Sequence, residues 1–445
     1  MPRISLLAGV SCAALAMLSA AHAQTVPVRA STFLNSLGVN THLGDLDTSW
    51  GVRNGKWAPD EAKVLAELKF LGFPNIRDAV PQGQIPAEMN DLARAGFKFD
   101  LLQVDEKGVP RIAADIAQIA AQMQAVPGSV ISVEASNEYN NADYSLGGVS
   151  SRNNLAWGAI VNKATRAALK ANPITAGVPL VAASTSNISS APSIGGSADH
   201  SNWHVYSNMG QQLAVNLKGA VAAARATLPG QPVEITETGI SSGAASISSW
   251  GNAGDEYTQG LIVTNTVLDA FNDGAVHTYL YDLMDERADT TSIENMFGLF
   301  HTDGTAKAAA NDLHNLTTVL ADASAAAASF TPSAPGFALP TLPAGASSLL
   351  LQKASGAYDL VLWNSSLPVW PGTARVTPTP VAVTMPLAGT YTSVKVYDVV
   401  TGATPTQTLS GVSSVSLSLG KEPMVIEIAG LVPPVVPANS PRPGL

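Results

Sequence analysis

Residues 36–301 alternate short apolar runs with amphipathic stretches, and this alternation constrains the fold more than any other feature of the sequence. The pattern is typical of repeated β-α units, in which each strand is followed by a helix that packs on the sheet. Strand patterns occur at 37–42, 75–78, 98–104, 130–140, 180–184, 202–206, 233–237 and 276–281. Eight strands separated by helices predict an α/β fold in which one parallel sheet closes into a (β/α)8 TIM barrel.

An open, doubly wound sheet is the alternative arrangement of the same pattern. Doubly wound proteins commonly bind nucleotides through a G-x-G-x-x-G turn or a P-loop that follows a strand. The sequence contains neither motif. The closed barrel is therefore the favoured fold, and the nucleotide-binding form of the alternative is disfavoured.

The composition changes after the last helix pattern, which ends near Leu320. Residues 321–348 are rich in Ala, Ser and Pro, which predicts a linker after a barrel domain of residues 24–320. Residues 349–430 contain short alternating apolar runs separated by turn residues, the pattern of a small antiparallel β-sandwich. The proline-rich tail, residues 431–445, is predicted to be disordered.

The N-terminus has the three parts of a secretory signal peptide. Arg3 precedes an apolar run over residues 6–21, and Ala-His-Ala at 21–23 has the pattern of a cleavage site. Cleavage after Ala23 would remove the only cysteine, Cys12, so the mature protein would have no disulfide and no thiol nucleophile. No later stretch is long and apolar enough to span a bilayer. We therefore expect a secreted or periplasmic protein.

The charge of the chain restricts the class of ligand. Acidic side chains outnumber Lys and Arg by 34 to 24, and no basic cluster interrupts this balance. The negative excess argues against nucleic acid or an anionic membrane as the partner, since both attract clustered positive charge. A neutral or cationic ligand is compatible with the composition. We expect a monomer that uses no cofactor.

Two of the strand patterns end in a glutamate. Residues 130–140, VISVEASNEYN, pass from an apolar run to Asn137 and Glu138, and the run PVEITETG contains Glu237 at its end. Because the C-terminal ends of barrel strands meet at one face, these distant residues are predicted to be neighbours. Two such carboxylates can cleave a glycosidic bond: one protonates the leaving oxygen while the other attacks the anomeric carbon or activates water.

Each of these two runs also carries an earlier glutamate. Glu134 and Glu234 lie nearer to the barrel interior, so Glu138 and Glu237 are the predicted catalytic pair. Arg77 ends the second strand, and Glu134 is its predicted buried partner. Arg77 is also a candidate for holding the negative charge of Glu237, and the competing interpretation is an ordinary structural ion pair.

Other residues near strand ends are candidates for substrate binding. Asn137 could contact a sugar 2-hydroxyl, or it could be a turn residue. His204 and Tyr206 alternate along the sixth strand and so share one face, and a tyrosine hydroxyl beside a carboxylate keeps that carboxylate ionised. His42 is a candidate because it ends the first strand. The aromatic residues that could stack on sugar rings, or belong to the core, are Trp57, Trp203, Trp250 and Tyr281.

The combination of these motifs resembles the clan A glycoside hydrolases. The motifs are Asn-Glu at 137–138 after the fourth strand, His-x-Tyr at 204–206, Glu-Thr-Gly at 237–239 and Arg77 after the second strand. The stretches GVNTHL, YLYDLMDE, FGLFHTDGTAKAAANDL and YDLVLW extend the likeness over residues 36–428. The chain is similar in particular to secreted bacterial enzymes of families 39 and 5 that carry a β-sandwich after the barrel.

The resemblance implies a retaining mechanism and a role for each matched residue. Glu138 would be the acid/base and Glu237 the nucleophile. The residues implied to line the subsite where the bond is cleaved are Asn137, Arg77, His204 and Tyr206. Tyr139 departs from the pattern, since many members have proline after the glutamate, and the leaving-group subsite could differ for that reason.

These observations leave three hypotheses of function. The leading one is a retaining glycoside hydrolase that cleaves O-glycosidic bonds of a poly- or oligosaccharide by a two-glutamate double displacement. A non-catalytic carbohydrate-binding or polysaccharide-export accessory protein on the same barrel is the alternative. A metal-dependent hydrolase using Asp199, His200 and His204 is the weakest, because the spacing suits a helix and the segment has the pattern of loop and strand; we expect no metal. The β-sandwich is expected to cover the barrel.

Overall fold

A computed structural model describes residues 26–43, 52–53, 56–57, 61–82, 85–186, 192–207, 210–243, 254–288, 292–370 and 374–432. The predicted signal peptide, Trp250 and the predicted tail after residue 432 lie outside these ranges. None of the helices in the described ranges is both long and apolar enough to cross a bilayer.

The described parts of the chain form short and long strands in two main sheets and three small hairpins. In chain order the strands are β1 Val28–Arg29, β2 Leu37–Asn40, β3 Val52–Arg53, β4 Lys56–Trp57, β5 Asn75–Ala79, β6 Lys98–Leu102, β7 Asp105–Glu106, β8 Val109–Pro110, β9 Val130–Glu134, β10 Ser145–Leu146, β11 Val149–Ser150, β12 Leu180–Val181, β13 Ser201–Tyr206, β14 Val233–Gly239, β15 Ala275–Leu280, β16 Ser347–Gln352, β17 Tyr358–Trp363, β18 Val381–Asp398, β19 Gln407–Leu409, β20 Val412–Leu419 and β21 Met424–Leu431.

The helices lie between the strands of the first main sheet or close to them. They are α1 Ala30–Leu34, α2 Glu61–Leu71, α3 Ile85–Arg94, α4 Ile112–Ala125, α5 Trp157–Ala171, α6 Ala214–Thr227, α7 Glu256–Asp273 and α8 Ala308–Leu320, with a 3-10 turn at Ile293–Met296. The repeated succession of strand and helix is the one that the sequence pattern predicts.

Eight strands form one parallel sheet in the order β12-β9-β6-β5-β2-β15-β14-β13. Every neighbouring pair in this order is parallel. The two end strands meet through parallel bridges between Val181 and His200 and between Ser186 and His204. These bridges close the sheet, and the predicted (β/α)8 barrel is confirmed.

The barrel strands are buried on both faces, because helices cover the outside and side chains fill the inside. All seven residues of β14 are buried, for example. The helix that follows it, α7, has a strong signal at each end. The Asp255 carboxylate accepts a hydrogen bond from Thr258 N at 2.8 Å, and Gly274 adopts the left-handed conformation that ends the helix.

Four strands are shorter than the sequence pattern indicates: the first ends at Asn40 and the third at Leu102, and the difference is larger in the next two. The fourth barrel strand, predicted over residues 130–140, ends at Glu134, and the fifth, predicted over 180–184, has regular pairing only at Leu180–Val181. The chain after Glu134 still makes single bonds to the neighbouring segment, as from Ala135 N to Val181 O at 3.2 Å. Asn137 and Glu138 therefore lie on a loop above the strand.

A second sheet follows residues 321–346, which contain no helix or strand. Its order is β1-β16-β17-β21-β18-β19, with β20 also paired to β18. The strand β18 has 18 residues: its first part pairs with β20, and its last part pairs with β21 and β19. The sheet thereby folds over a core of its own that includes Leu350, Leu360, Met385 and Ile426, which forms the predicted β-sandwich.

One face of the sandwich packs against the barrel. Leu349, Leu351 and Trp363 belong to the same hydrophobic core as the barrel residues. The indole Nε1 of Trp363 donates to Asp269 Oδ1 on α7 at 2.7 Å, and Ser365 Oγ donates to Oδ2 at 2.6 Å. The two-residue strand β1 also pairs with β16, so the start of the described chain belongs to the C-terminal sheet.

Candidate active site

The C-terminal ends of the barrel strands bring most of the predicted site residues together. Arg77 lies on β5, His204 and Tyr206 on β13, and Glu237 on β14, while Glu138 follows β9. Hydrogen bonds join Arg77 and Tyr206 to Glu237 and His204 to Glu138, and a 3.3 Å contact between His204 Nδ1 and Glu237 Oε2 links the two sets. Residues that are far apart in the sequence therefore form one site, as barrel topology requires.

Glu237 is the most tightly held carboxylate of this group. It is 7 % exposed, and Arg77 Nη1 donates to its Oε1 at 2.7 Å while the Tyr206 hydroxyl donates to its Oε2 at 2.8 Å. His204 Nδ1 lies 3.3 Å from the same Oε2. Burial alone would raise the pKa of Glu237, but the charges of His204 and Arg77 and these hydrogen bonds hold it below its ordinary value. Glu237 is therefore an ionised, acceptor-only group.

Arg77 bonds to two glutamates, Glu134 in the barrel interior and Glu237 near the strand ends. Besides Glu237, its guanidinium donates from Nε to Glu134 Oε2 at 2.6 Å, from Nη1 to Asn40 Oδ1 at 2.7 Å and from Nη2 to Asn137 Oδ1 at 2.9 Å. The predicted pairing of Arg77 with Glu134 is thus confirmed. Burial lowers the pKa of Arg77, but Glu134 and Glu237 raise it above its ordinary value, so the guanidinium stays charged.

Asn137 has its side-chain oxygen turned toward Arg77. An amide has one acceptor oxygen and two N–H donors, so the acceptor is used and the donors remain for a ligand. The residue is only partly buried. Its position next to Glu138 and against Arg77 is compatible with the predicted contact to a sugar hydroxyl.

Glu138 has a left-handed backbone, with φ of 34°. This conformation is strained for a residue with a Cβ, and such strain is found mostly where the surrounding structure fixes the residue. Ser184 Oγ accepts from Glu138 N at 3.0 Å, Asn141 Nδ2 donates to Oε2 at 2.9 Å, and His204 Nδ1 lies 2.9 Å from Oε1. The Glu138 side chain is 23 % exposed, which makes it the accessible carboxylate of the pair.

His204 lies between the two glutamates and is fully buried. Its Nε2 is 2.9 Å from Thr236 Oγ1, and the Thr236 hydroxyl donates to Asn202 Oδ1 at 2.9 Å. Since that hydroxyl proton is used, His204 Nε2 must donate to Thr236, which leaves Nδ1 to share a proton with Glu138. Burial lowers the pKa of His204, but Glu237 and Glu138 raise it above its ordinary value.

The two carboxylates are close to each other. One oxygen of Glu138, one oxygen of Glu237 and one ring nitrogen of His204 all lie within 4.8 Å of one another. One carboxylate is deep and ionised, and the other is more exposed and shares a proton with a histidine. Such a pair can combine a nucleophile with a proton donor.

Aromatic rings form one wall beside Glu237. Tyr206 packs edge-on against Tyr281, with ring centroids 6.3 Å apart, and Phe297 contacts both at 5.6 and 5.5 Å. His42 packs edge-on against Tyr281 at 5.1 Å, so the predicted candidates His42 and Tyr281 belong to this wall. Phe297 carries no signal in the sequence, because it lies in an irregular segment.

Tyr139 does not line the cleft. It is buried, its hydroxyl donates to Leu155 O at 2.7 Å, and its ring lies 5.7 Å from that of Trp157. A Cβ at Gly158 would come within 2.7 Å of the Tyr139 hydroxyl, so a glycine is needed at the start of α5. The departure from the family pattern at this position is thus accommodated in the core. Trp203 is also a core residue, and the side chain of Trp57 lies outside the description.

The three residues of the predicted metal alternative have different partners. Asp199 Oδ1 accepts from Arg166 at 2.7 Å, and His204 faces Glu138. His200 Nδ1 lies 2.5 Å from Glu234 Oε1, and burial alone would raise the pKa of Glu234, but His277 and His200 lower it to about 2. These contacts explain Asp199 and His200 as structural residues.

The sequence also contains one G-x-S-x-G match, at residues 239–243. This motif marks the nucleophile of many serine hydrolases. The Ser241 hydroxyl donates to Ile293 O at 2.8 Å and accepts from Gly243 N at 3.1 Å. Both bonds are to backbone groups, so the hydroxyl serves the local turn.

Comparison with known proteins supports the fold. No protein-family model and no curated protein matches the chain. Among solved structures it is similar to a family 39 glycoside hydrolase from the gut symbiont Bacteroides cellulosilyticus WH2, with a TM-score of 0.58 and 12 % identity over 90 % of this chain and 82 % of that one. The predicted resemblance to clan A enzymes of the family 39 type is confirmed at the level of fold.

Other solved structures match more weakly. A β-glucuronidase from an uncultured Clostridium sp. has a TM-score of 0.47 and 14 % identity over 63 % of this chain and 50 % of that one. A putative β-galactosidase from Bacteroides fragilis has a TM-score of 0.46 and 14 % identity over 88 % and 54 %.

Replacing Arg77 tests whether one guanidinium holds the site together. Arg77→Met should lower the free energy of unfolding by about 3–5 kcal/mol, because it leaves the buried Glu134 and Glu237 without their cation. Arg94→Met is the matched control: Arg94 pairs with Asp91 on the surface, and its loss should cost no more than about 1 kcal/mol. Urea denaturation measures both. Similar losses for the two variants would contradict the role given to Arg77.

Proposed function

We propose that the protein is a retaining glycoside hydrolase that cleaves O-glycosidic bonds of an oligo- or polysaccharide. The observation that carries the proposal is the pair Glu138 and Glu237 at the C-terminal face of a barrel, where one oxygen of each carboxylate lies within 4.8 Å of the other. Retaining enzymes have carboxyl groups about 5–5.5 Å apart, whereas inverting enzymes need about 6.5–9.5 Å to admit a water molecule. The distance favours retention.

The environments of the two glutamates support different roles. Glu237 is ionised and deep, which suits a nucleophile: one of its oxygens forms a bond to the anomeric carbon as the bond to the leaving oxygen breaks. Glu138 is more exposed and shares a proton with His204 Nδ1, which suits a donor of that proton to the leaving oxygen. In the second step Glu138 takes a proton from water, the water oxygen bonds to the anomeric carbon, and Glu237 leaves as a carboxylate.

The residues around this pair would position it and the sugar. Arg77 and Tyr206 stabilise the Glu237 carboxylate before it attacks, and they stabilise it again when hydrolysis of the intermediate regenerates it. Asn137 offers N–H donors next to Glu138, which suits a contact with the sugar 2-hydroxyl. The partly exposed ring of Tyr281, packed on the buried Phe297, offers apolar surface for a sugar ring. Trp250 remains a candidate platform from the sequence.

The cleft also supports a substrate class. A cavity of about 280 Å³ lies beside Asn137, and it is lined by Leu102, Gln103, Val104, Asp105, Pro110, Ala135, Ser136 and Tyr144. Space next to the cleavage point suits a further sugar unit, as in an oligosaccharide. Burial and the charges of Glu286, Glu138 and Glu237 raise the pKa of Glu294, because several carboxylates act on it. Such a concentration of carboxylates is compatible with the neutral or cationic ligand that the composition allows.

The proposal extends to the whole chain. We assign catalysis to the barrel of residues 24–320, and a covering role to the sandwich of residues 349–430, after the segment 321–348. The contact of Trp363 with Asp269 supports that role. A signal peptide at residues 1–23 would deliver the enzyme, acting as a monomer without a cofactor, to the periplasm or the medium.

Replacing each glutamate by glutamine tests the proposal. The wild type should release sugar from at least one member of a panel of polysaccharides and aryl glycosides. Glu237→Gln should abolish turnover, since an amide cannot act as the nucleophile. Glu138→Gln should lower kcat by about 10²–10⁴-fold. The loss should be smaller for glycosides whose leaving group is an acidic phenol, because such a group departs with little help from a proton donor.

Glu106→Gln, an exposed glutamate of the hairpin β7–β8, is the control and should be fully active. Circular dichroism would establish that each variant is folded. A folded Glu237→Gln variant with wild-type turnover would refute the assignment. Binding of glycans by a wild type that cleaves none of them would favour the accessory-protein alternative.

Tyr206→Phe tests the electrostatics of the nucleophile. The variant loses a hydrogen bond to the ionised form of Glu237, so the pKa of Glu237 should rise and the acid limb of kcat/KM should move to higher pH. Tyr139→Phe is the matched control, because that hydroxyl contacts Leu155 O away from the cleft. A pH profile of Tyr206→Phe that is unmoved, or moved to lower pH, would contradict the role of Tyr206.

A further inference from the structure

A second group of ligand-type side chains lies at the same face of the barrel. It consists of His42, Asp282 and Glu286, which offer one ring nitrogen and two carboxylate oxygens within 4.8 Å of one another. His42 and Asp282 follow the adjacent strands β2 and β15, so the barrel itself brings them together. The group shares no residue with the catalytic pair and His204.

Asp282 is the residue of this group that requires a partner. It is 1 % exposed, and neither Oδ1 nor Oδ2 accepts a hydrogen bond. His42 Nε2 lies 3.9 Å from Oδ2, which is beyond hydrogen-bond distance. A buried carboxylate without donors is unfavourable, because its hydrogen bonds to water are lost and nothing replaces them. A bound cation would remove this cost.

The nearby ammonium of Lys307 does not supply that cation. Its Nζ donates to Asp285 Oδ1 at 2.5 Å, to Ser242 Oγ at 3.0 Å and to Met296 O at 3.3 Å. An ammonium group has three donors, and all three are used by these contacts. Lys307 is therefore held by Asp285, Ser242 and Met296 and donates no hydrogen bond to Asp282, so neither carboxylate oxygen of Asp282 has a donor.

We propose that His42, Asp282 and Glu286 bind a divalent metal ion, with Zn²⁺ as the best match. Zn²⁺ accepts imidazole nitrogen together with carboxylate oxygen, and three protein ligands with a water molecule complete its tetrahedron. Ca²⁺ and Mg²⁺ prefer sites built from oxygen alone, so the histidine disfavours them. This site is independent of the proposed glycosidase chemistry, which requires no metal.

The ion would stabilise one wall of the cleft. Tyr281 donates from its hydroxyl to Glu286 Oε1 at 3.3 Å, and its ring contacts His42. An ion held by His42, Asp282 and Glu286 would therefore connect the ends of the first and last barrel strands and fix Tyr281 between them. Its role is to position this wall.

Isothermal titration calorimetry of the chelator-treated full chain with ZnCl₂ tests the proposal. The wild type should bind one equivalent. Asp282→Asn, His42→Gln and Glu286→Gln should each weaken binding by at least about tenfold, since loss of even an outer-shell partner costs about 10–100-fold. Glu106→Gln, which removes an exposed carboxylate, is the control and should bind as the wild type does. Co²⁺ in place of Zn²⁺ should give visible absorption bands that the His42→Gln variant alters.

Three results would overturn the proposal. The first is a wild type that binds no Zn²⁺ at millimolar concentration. The second is a set of folded ligand variants that bind as tightly as the control; if Asp282→Asn does not fold, the partly exposed His42 and Glu286 decide the outcome. The third is loss of binding in Glu237→Gln with retention in the His42 and Glu286 variants, which would place the ion at the catalytic pair.

Discussion

The buried guanidinium of Arg77 is the interaction on which the arrangement of the site depends. A charge in a barrel interior must be paired, because water is excluded and unpaired charges there are strongly unfavourable. Arg77 reaches Asn40, Glu134 and Glu237, which lie on three other strands of the barrel. One side chain therefore fixes the relative positions of β2, β5, β9 and β14 at the level where the site begins.

A series of hydrogen bonds that ends at His204 connects Glu134 in the barrel interior to the more exposed Glu138. Glu134 Oε1 accepts from Asn202 Nδ2 at 3.0 Å, Asn202 Oδ1 accepts from Thr236, and Thr236 accepts from His204. Each step fixes the direction of the next donor, and the series ends at Nδ1 beside Glu138. The two glutamates, only a few ångströms apart, thereby have different partners: Glu237 bonds to Arg77 and Tyr206, and Glu138 faces His204.

The features that depended on repetition and topology could be predicted from the sequence. The eight strands, the meeting of Glu138 with Glu237, and the pairing of Arg77 with Glu134 follow from periodic patterns and from where barrel strands end. Features set by single long-range contacts could not. The two-residue strand β1 is too short to carry a pattern, Tyr139 turns into the core because Gly158 makes room for it, and Phe297 reaches the site from an irregular segment. Trp250 lies outside the described residues.

The central claim is that Glu138 and Glu237 act as a retaining pair, and the configuration of the first product tests it most directly. Proton NMR, recorded during early turnover of a glycoside of known anomeric configuration, distinguishes the two outcomes before the sugar mutarotates. A double displacement at carboxylates this close predicts that the released sugar first appears with the configuration of the substrate. First appearance of the opposite anomer would contradict it, since a single displacement by water would then be the reaction.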